Sequence, residues 1–222
     1  MIFGVKTTVT LLLHLPYAVT MEEILAYLRS IYPMLSEECL NFLRDVVKKR
    51  MLKRNEHLLR PGEVCRNLYF IKKGLMRCYY VLEGRELTDW VFSESAAVVS
   101  VDSFYDQVAS VEFVQALEPC ELYYISFDNL ELAYRRYVEF NFVGRVLTLK
   151  YLRIWHDLVR KIRALEAEER YLLLQEEQPE LVLRVKQKVL ATWLDMHPGT
   201  LSRLRSKLKK LTPVKRAKKR PS

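Results

Sequence analysis

The sequence predicts an α+β fold: an antiparallel β domain preceded by helices, then a long helix and a C-terminal helix-turn-helix. Three observations carry this. From about Lys53 to Phe127, runs of four to eight residues rich in Val, Ile, Tyr and Phe alternate with turn signals at Pro61-Gly62, Gly74, Gly84 and Pro119, the pattern of a sandwich or barrel. On both sides of that region the apolar period becomes helical. The chain's net charge of +9 is concentrated at one end, where residues 186–222 hold twelve Lys/Arg against the single acid Asp195.

Each element follows in order. Residues 1–20 are either a mis-called start, with Met21 the true one, or a flanking arm whose Thr20 and Glu23 form a T-x-x-E capping box. The first of these is preferred. "MEEILAYLRSIY" puts Ile24, Leu25 and Leu28 on one helical face, and Ser36 caps a second helix, "EECLNFLRDVVKKRM". Beyond the β region, "DNLELAYRRYV" leads into a helix of roughly 25 residues. There Leu147, Tyr151, Ile154, Leu158 and Leu165 fall on coiled-coil spacing, with Lys161 in the skipped position. Phe142, Val143, Val146, Leu149, Leu152, Trp155 and Val159 give it a second apolar face, so one face is expected on the β domain and the other on a partner subunit. "EAEERYLLLQEEQ" forms a further helix that Pro179 closes.

Composition narrows the function. No apolar run approaches the ~20 residues of a membrane helix. Cys39, Cys65, Cys78 and Cys120 are scattered without metal-ligand spacing, which reads as reduced, buried thiols in a cytoplasmic protein. No nucleophile elbow, P-loop or zincin motif occurs, so neither an enzyme nor a metal or cofactor is expected. A basic terminal region favours a polyanion, since every neutralised phosphate releases counterions.

The stretch "VLATWLDMHPGTLSRLRSKLKK" fits a DNA reader. Leu190, Leu194, Met196, Leu201 and Leu204 form its core, and Ala191 allows the two helices to cross closely. Asp195 stands where a glycine of positive φ is usual, a conformation Asp tolerates better than most residues. Pro198 opens the second helix. Burial of Leu201, Leu204 and Leu208 turns Gly199, Ser202, Arg203, Ser206, Lys207 and Lys210 outward. Arg203, Ser202 and Ser206 are the expected base-reading residues, while Thr200, Arg205 and Lys207 suit phosphates.

With these motifs in place, the chain from about Met21 to Lys210 resembles the Crp/Fnr family of bacterial transcription regulators. "LLRPGEVCRNLYFIKKGLMRCYY", "EPCELYYISFDNL", "AEERYLLLQEEQPEL" and "VLATWLDMHPGTLSRLRSKL" carry the resemblance. It implies a cyclic-nucleotide-binding-like β-roll (jelly-roll-like) sensor domain over 21–139, a long dimerisation helix over 140–165 and a winged helix-turn-helix domain over 166–211; beyond it, the charge of residues 212–222 reads as a basic disordered tail. The implied function is a homodimeric regulator that binds double-stranded DNA, with an unknown small-molecule effector and RNA polymerase as candidate partners. The alternative is a ligand-binding or protein-interaction module whose helix-turn-helix no longer reads DNA. Gly199 replaces a glutamate frequent in the family, and the effector site departs further. Members that bind cyclic AMP carry a Gly-Glu pair and, about ten residues later, an Arg-Ser or Arg-Thr pair. Here those places read Val99-Ser100 and Ser110-Val111, followed by Glu112. The clustered cysteines of an iron–sulfur sensor are also missing, and His57 and His156 read as ordinary surface or packed residues rather than haem ligands.

Overall fold

The computed structural model describes residues 20–211, and the expectations for residues 1–19 and 212–222 lie outside them. Helix α1 (Met21–Ile31) opens on the T-x-x-E box. The Thr20 hydroxyl accepts from the Glu23 N–H at 3.3 Å, and the Thr20 N–H donates to Glu23 Oε2 at 2.6 Å. Ser36 caps α2 (Glu37–Val46) by accepting from the Cys39 N–H. This helix stops earlier than expected, because Lys48–Leu52 forms strand β1. The β-branched pair Val46-Val47 and the pairing of Lys48–Leu52 with Cys120–Tyr124 outweigh the helix propensity of the lysines. As a sheet edge, β1 exposes Lys48, Lys49 and Arg50, charges that discourage another strand from adding there.

The roll continues through β2 (His57–Leu59), β3 (Asn67–Lys73), β4 (Met76–Leu82), β5 (Arg85–Phe92), β6 (Ala97–Val98), β7 (Phe113–Ala116) and β8 (Cys120–Ser126). They form two antiparallel four-stranded sheets in the orders β1-β8-β3-β6 and β2-β7-β4-β5. Ile71, Met76, Val98, Val114 and Leu122 are almost fully buried in the main core. Gly74 turns the chain between β3 and β4 at φ +108°, where a Cβ would lie 2.6 Å from the Pro119 carbonyl oxygen. Only glycine satisfies both constraints. All four cysteines are free and buried, and burial pushes the Cys39 and Cys120 thiols up to about 11. A short helix that the strand-like run "AAVVS" did not announce, α3 (Val101–Asp106), interrupts the path from β6 to β7.

After α4 (Phe127–Arg136) the long helix α5 spans Val138–Ala164, 27 residues. Its two apolar faces are not used as the seam spacing suggested. Val143 and Leu147 pack into the roll, and the Tyr151 hydroxyl accepts from the Ala97 N–H at 2.7 Å. Leu147 and Tyr151, expected on the coiled-coil seam, therefore belong to the roll contact. The stripe left exposed carries Phe142, Leu149 and Leu152, which fall on a 7-3 spacing with Arg145 between them.

Helices α6 (Ala167–Glu177), α7 (Pro179–Arg184), α8 (Gln187–Trp193) and α9 (Pro198–Leu211) complete the described chain. No strand follows β8 among the described residues, so they show no wing. The link from α6 to α8 is instead the helix α7, with Pro179 at its start and Leu181 and Val182 buried. Proline is pre-set for a first helical turn, and the two apolar residues hold that turn to the core. No described helix is long and apolar enough to cross a membrane.

Candidate nucleic-acid interface

The helix-turn-helix is built around Leu190, Ala191 and Leu201, each fully buried, with Leu194 and Leu204 beside them. Its turn is a complete Schellman motif. The Met196 N–H donates to the Ala191 carbonyl at 3.0 Å and the Asp195 N–H to the Thr192 carbonyl at 3.1 Å. Asp195 occupies the left-handed position at φ +53°, so the substitution for glycine is accommodated at modest cost. Helix α9 begins at Pro198, and the His197 ring accepts from the Gly199 N–H at 3.1 Å through Nδ1. A Cβ on residue 199 would sit 3.2 Å from that nitrogen, so Gly199 leaves room for this histidine cap.

The expected contact residues separate into two groups. Ser202, Arg203, Ser206 and Lys207 are exposed, and Thr200 is half-buried in the first turn. The Arg203 Nε lies 3.4 Å from the Gly199 carbonyl, Ser206 donates to the Ser202 carbonyl, and Lys207 pairs with Glu168 at 3.0 Å. All of these contacts are at the surface and exchangeable with a ligand's. Arg205 is different. Its Nε donates to the Tyr171 hydroxyl at 3.1 Å and its Nη2 to the Val182 carbonyl at 3.2 Å, with the guanidinium over the Tyr171 ring. These contacts tie α9 to α6 and α7 and engage the guanidinium for which a phosphate contact was expected. The side chain of Lys210 lies outside the described residues.

Two further arginines, absent from the sequence-based expectations, place this unit. Arg170 of α6 donates to the Ile162 and Leu165 carbonyls at the end of α5, and to the Leu194 and Asp195 carbonyls in the turn. One guanidinium thus joins the long helix to the helix-turn-helix. Arg184 of α7 holds Glu94 through Nη1 and Nη2 and Glu118 through Nε and Nη2, at 2.7–3.2 Å. Around it, Leu75 and Val91 of the roll enter the core of the helical unit, and the Thr192 hydroxyl donates to the Thr88 hydroxyl at 2.9 Å. The helix-turn-helix unit is docked on the roll of its own chain.

The two places where an effector site was sought do come together. Ser100 and Ser110 are buried with their hydroxyls 3.1 Å apart, and Ser100 donates to Glu112 Oε2 at 2.6 Å. The Glu112 N–H donates in turn to the Ser110 hydroxyl. A carboxylate therefore stands beside the place where a phosphate-binding arginine was sought, and burial with the Glu112 charge holds the nearby Asp89 carboxyl above its usual range. A cavity of about 230 Å³ adjoins Ser100, walled by Leu59, Cys65, Tyr69 and Val98, with Arg50, Arg66 and Glu63 as its charged groups. His57 bonds the Tyr79 hydroxyl beside the Phe113 ring, a packed histidine; His156 is exposed.

Comparison with known proteins adds the following. Residues 49–137 match the family model of the cyclic nucleotide-binding domain. No curated protein matches the sequence. FixK2 from Bradyrhizobium japonicum shares the fold at a TM-score of 0.62 and 19% identity, over 75% of this chain and 86% of that one. The c-di-GMP-responsive global regulator CLP of Xanthomonas campestris gives 0.61 and 16%, over 79% and 92%. A CooA variant from Carboxydothermus hydrogenoformans gives 0.58 and 16%, over 75% and 78%. At such identities the likeness is one of fold, and at that level the resemblance to the Crp/Fnr regulators holds.

Proposed function

We propose that this chain, a cyclic-nucleotide-binding-type roll on the frame of the Crp/Fnr regulators, is a sequence-specific DNA-binding transcription regulator that acts as a homodimer. The observation that carries the reading is the division of α9 into two faces. Leu201, Leu204 and Arg205 anchor it, while Ser202, Arg203, Ser206 and Lys207 stand exposed beside a first turn ready to enter a major groove. The buried free thiols suit a reducing cytoplasm. Selection of binding sites from random duplexes tests it: a recovered consensus bound far more tightly than random DNA supports the reading, and equal affinity for both overturns it in favour of an interaction module.

Dimerisation rests on the exposed α5 stripe of Phe142, Leu149 and Leu152. Two-fold pairing along it would set the two α9 helices about one DNA turn, ~34 Å, apart. Leu152→Ala is expected to weaken the dimer roughly tenfold, since the truncated methyls leave water at both copies of the site. Sedimentation equilibrium measures it, and an unchanged dimer constant removes this stripe as the interface.

Cyclic AMP capture in the family's usual manner is not part of the proposal, because the Glu112 carboxylate already holds the Ser100 hydroxyl and would repel a cyclic phosphate. An effector in the roll has a short route outward: Ala97, three residues from Ser100, is bonded to Tyr151 of α5.

A further inference from the structure

We infer that the cleft between the roll and the helix-turn-helix is a binding site for a small phosphorylated anion, held by Arg54, Lys186 and Lys188. A cavity of about 190 Å³ opens there, walled on the roll side by Arg54, Arg77 and Glu86 and on the other by Arg184, Lys186 and Lys188. Two of these five cations are neutralised internally. Arg77 is buried, bonds Gln115 and pairs with Glu86 at 2.9 Å, and Arg184 is held by Glu94 and Glu118. Arg54, Lys186 and Lys188 are exposed and have no acidic partner among the described residues.

Their placement distinguishes them from a solvated charged face. Arg54 comes from the turn between β1 and β2, next to Asn55 at φ +67°, and the two lysines come from the start of α8, about 130 residues later. Separate units thus bring like charges to one concavity, an arrangement that a bound anion relieves. Even with Glu94 and Glu118 counted, the cations outnumber the acids by two, which matches a phosphate monoester dianion. Two ammonium point charges and one guanidinium fork suit its three terminal oxygens. The cavity is smaller than the roughly 300–1,000 Å³ of sites for drug-sized ligands, so it takes a phosphate with few further atoms. Bound there, the anion bridges roll and reader and favours their docked arrangement, to the extent that it binds that arrangement more tightly than an undocked one.

The phosphate titration itself needs no DNA, so its failure is distinguishable from failure of the proposed DNA binding. Inorganic phosphate and, separately, glycerol 3-phosphate are titrated into the full chain at constant ionic strength set by chloride, by calorimetry and amide shifts. Saturable binding is expected, weakened about tenfold by Arg54→Gln and by the double variant Lys186→Gln/Lys188→Gln, and unchanged by Arg85→Gln at the exposed hairpin tip. Tighter saturation by glycerol 3-phosphate supports the site with a phosphorylated metabolite as the source, and equal saturation supports it with phosphate itself. Absence of saturation, or saturation indifferent to the three cations, overturns the assignment. Loss of duplex affinity in the same variants with no phosphate binding overturns it too, and gives these cations to the DNA backbone.

Discussion

Arg184→Ala is expected to lower the unfolding free energy by about 2–3 kcal/mol at neutral pH. In the native chain one guanidinium makes four hydrogen bonds to Glu94 and Glu118, and the side chains involved are 14–27% exposed. Truncation leaves two carboxylates side by side with no counter-charge, and Glu94 also anchors the Gly74 turn by accepting its N–H at 2.9 Å. Breaking a fully buried pair costs about 3–5 kcal/mol; the partial exposure here screens some of that. A pH dependence follows. Burial is the largest single influence and would raise the Glu94 pKa, yet the hydrogen bonds from Arg184, those from the Gly74 and Glu94 backbone N–H groups and the Arg184 charge together outweigh it and hold the carboxyl below its ordinary 4.5. A depressed native pKa stabilises the fold at pH values above the unfolded one, and that contribution disappears as pH falls through the native pKa. The gap between native chain and variant should therefore narrow below about pH 4.5. Urea unfolding of both proteins across this range measures it. A gap that stays constant there would mean that the lost stability comes from packing and not from the ion pair. Arg184→Lys, which keeps the charge without the fork, should fall between the two.

The contrast between Arg203 and Arg205 shows what the sequence could tell. The reader's core was legible because Leu190, Leu201 and Leu204 recur at helical spacing, and Asp195 could be placed because its turn chemistry is local. Arg205 reads as a phosphate contact by its charge, although it stands four residues after Leu201 and three before Leu208, on the apolar face, whereas Arg203 lies about 200° around the helix from it. Arg170 and Arg184 had no such signal. Arg170 caps carbonyls on elements before and after its own helix, and Arg184's partners precede it by 90 and 66 residues. The strand β1 was missed for a related reason, since its conformation is decided by β8, some seventy residues further on. In α5 the periodicity announced two apolar faces, but which one meets the roll depends on where Ala97 offers its N–H to Tyr151.

Arg203→Ala is expected to reduce affinity for a selected operator about tenfold to a hundredfold while leaving affinity for random duplex nearly unchanged. The side chain is exposed on α9, and among the described residues it makes a long hydrogen bond to the Gly199 carbonyl, so its donors are available to the paired acceptors of a guanine edge. Loss of that pairing removes information as well as energy. Lys207→Ala should behave differently. Its ammonium is tied to Glu168 in the free protein, with both side chains largely exposed, so DNA displaces a weak pair. Removing it should weaken specific and random duplexes alike and flatten the salt dependence of log K by roughly one phosphate's worth. Fluorescence anisotropy on both duplexes over a range of salt separates the two signatures. Arg203→Lys is the sharper control, because lysine keeps the charge but cannot reproduce the two-pronged contact. If it restores operator affinity in full, Arg203 touches phosphate and base reading passes to Ser202 and Ser206; if it behaves like alanine on the operator, the fork itself is what reads the base.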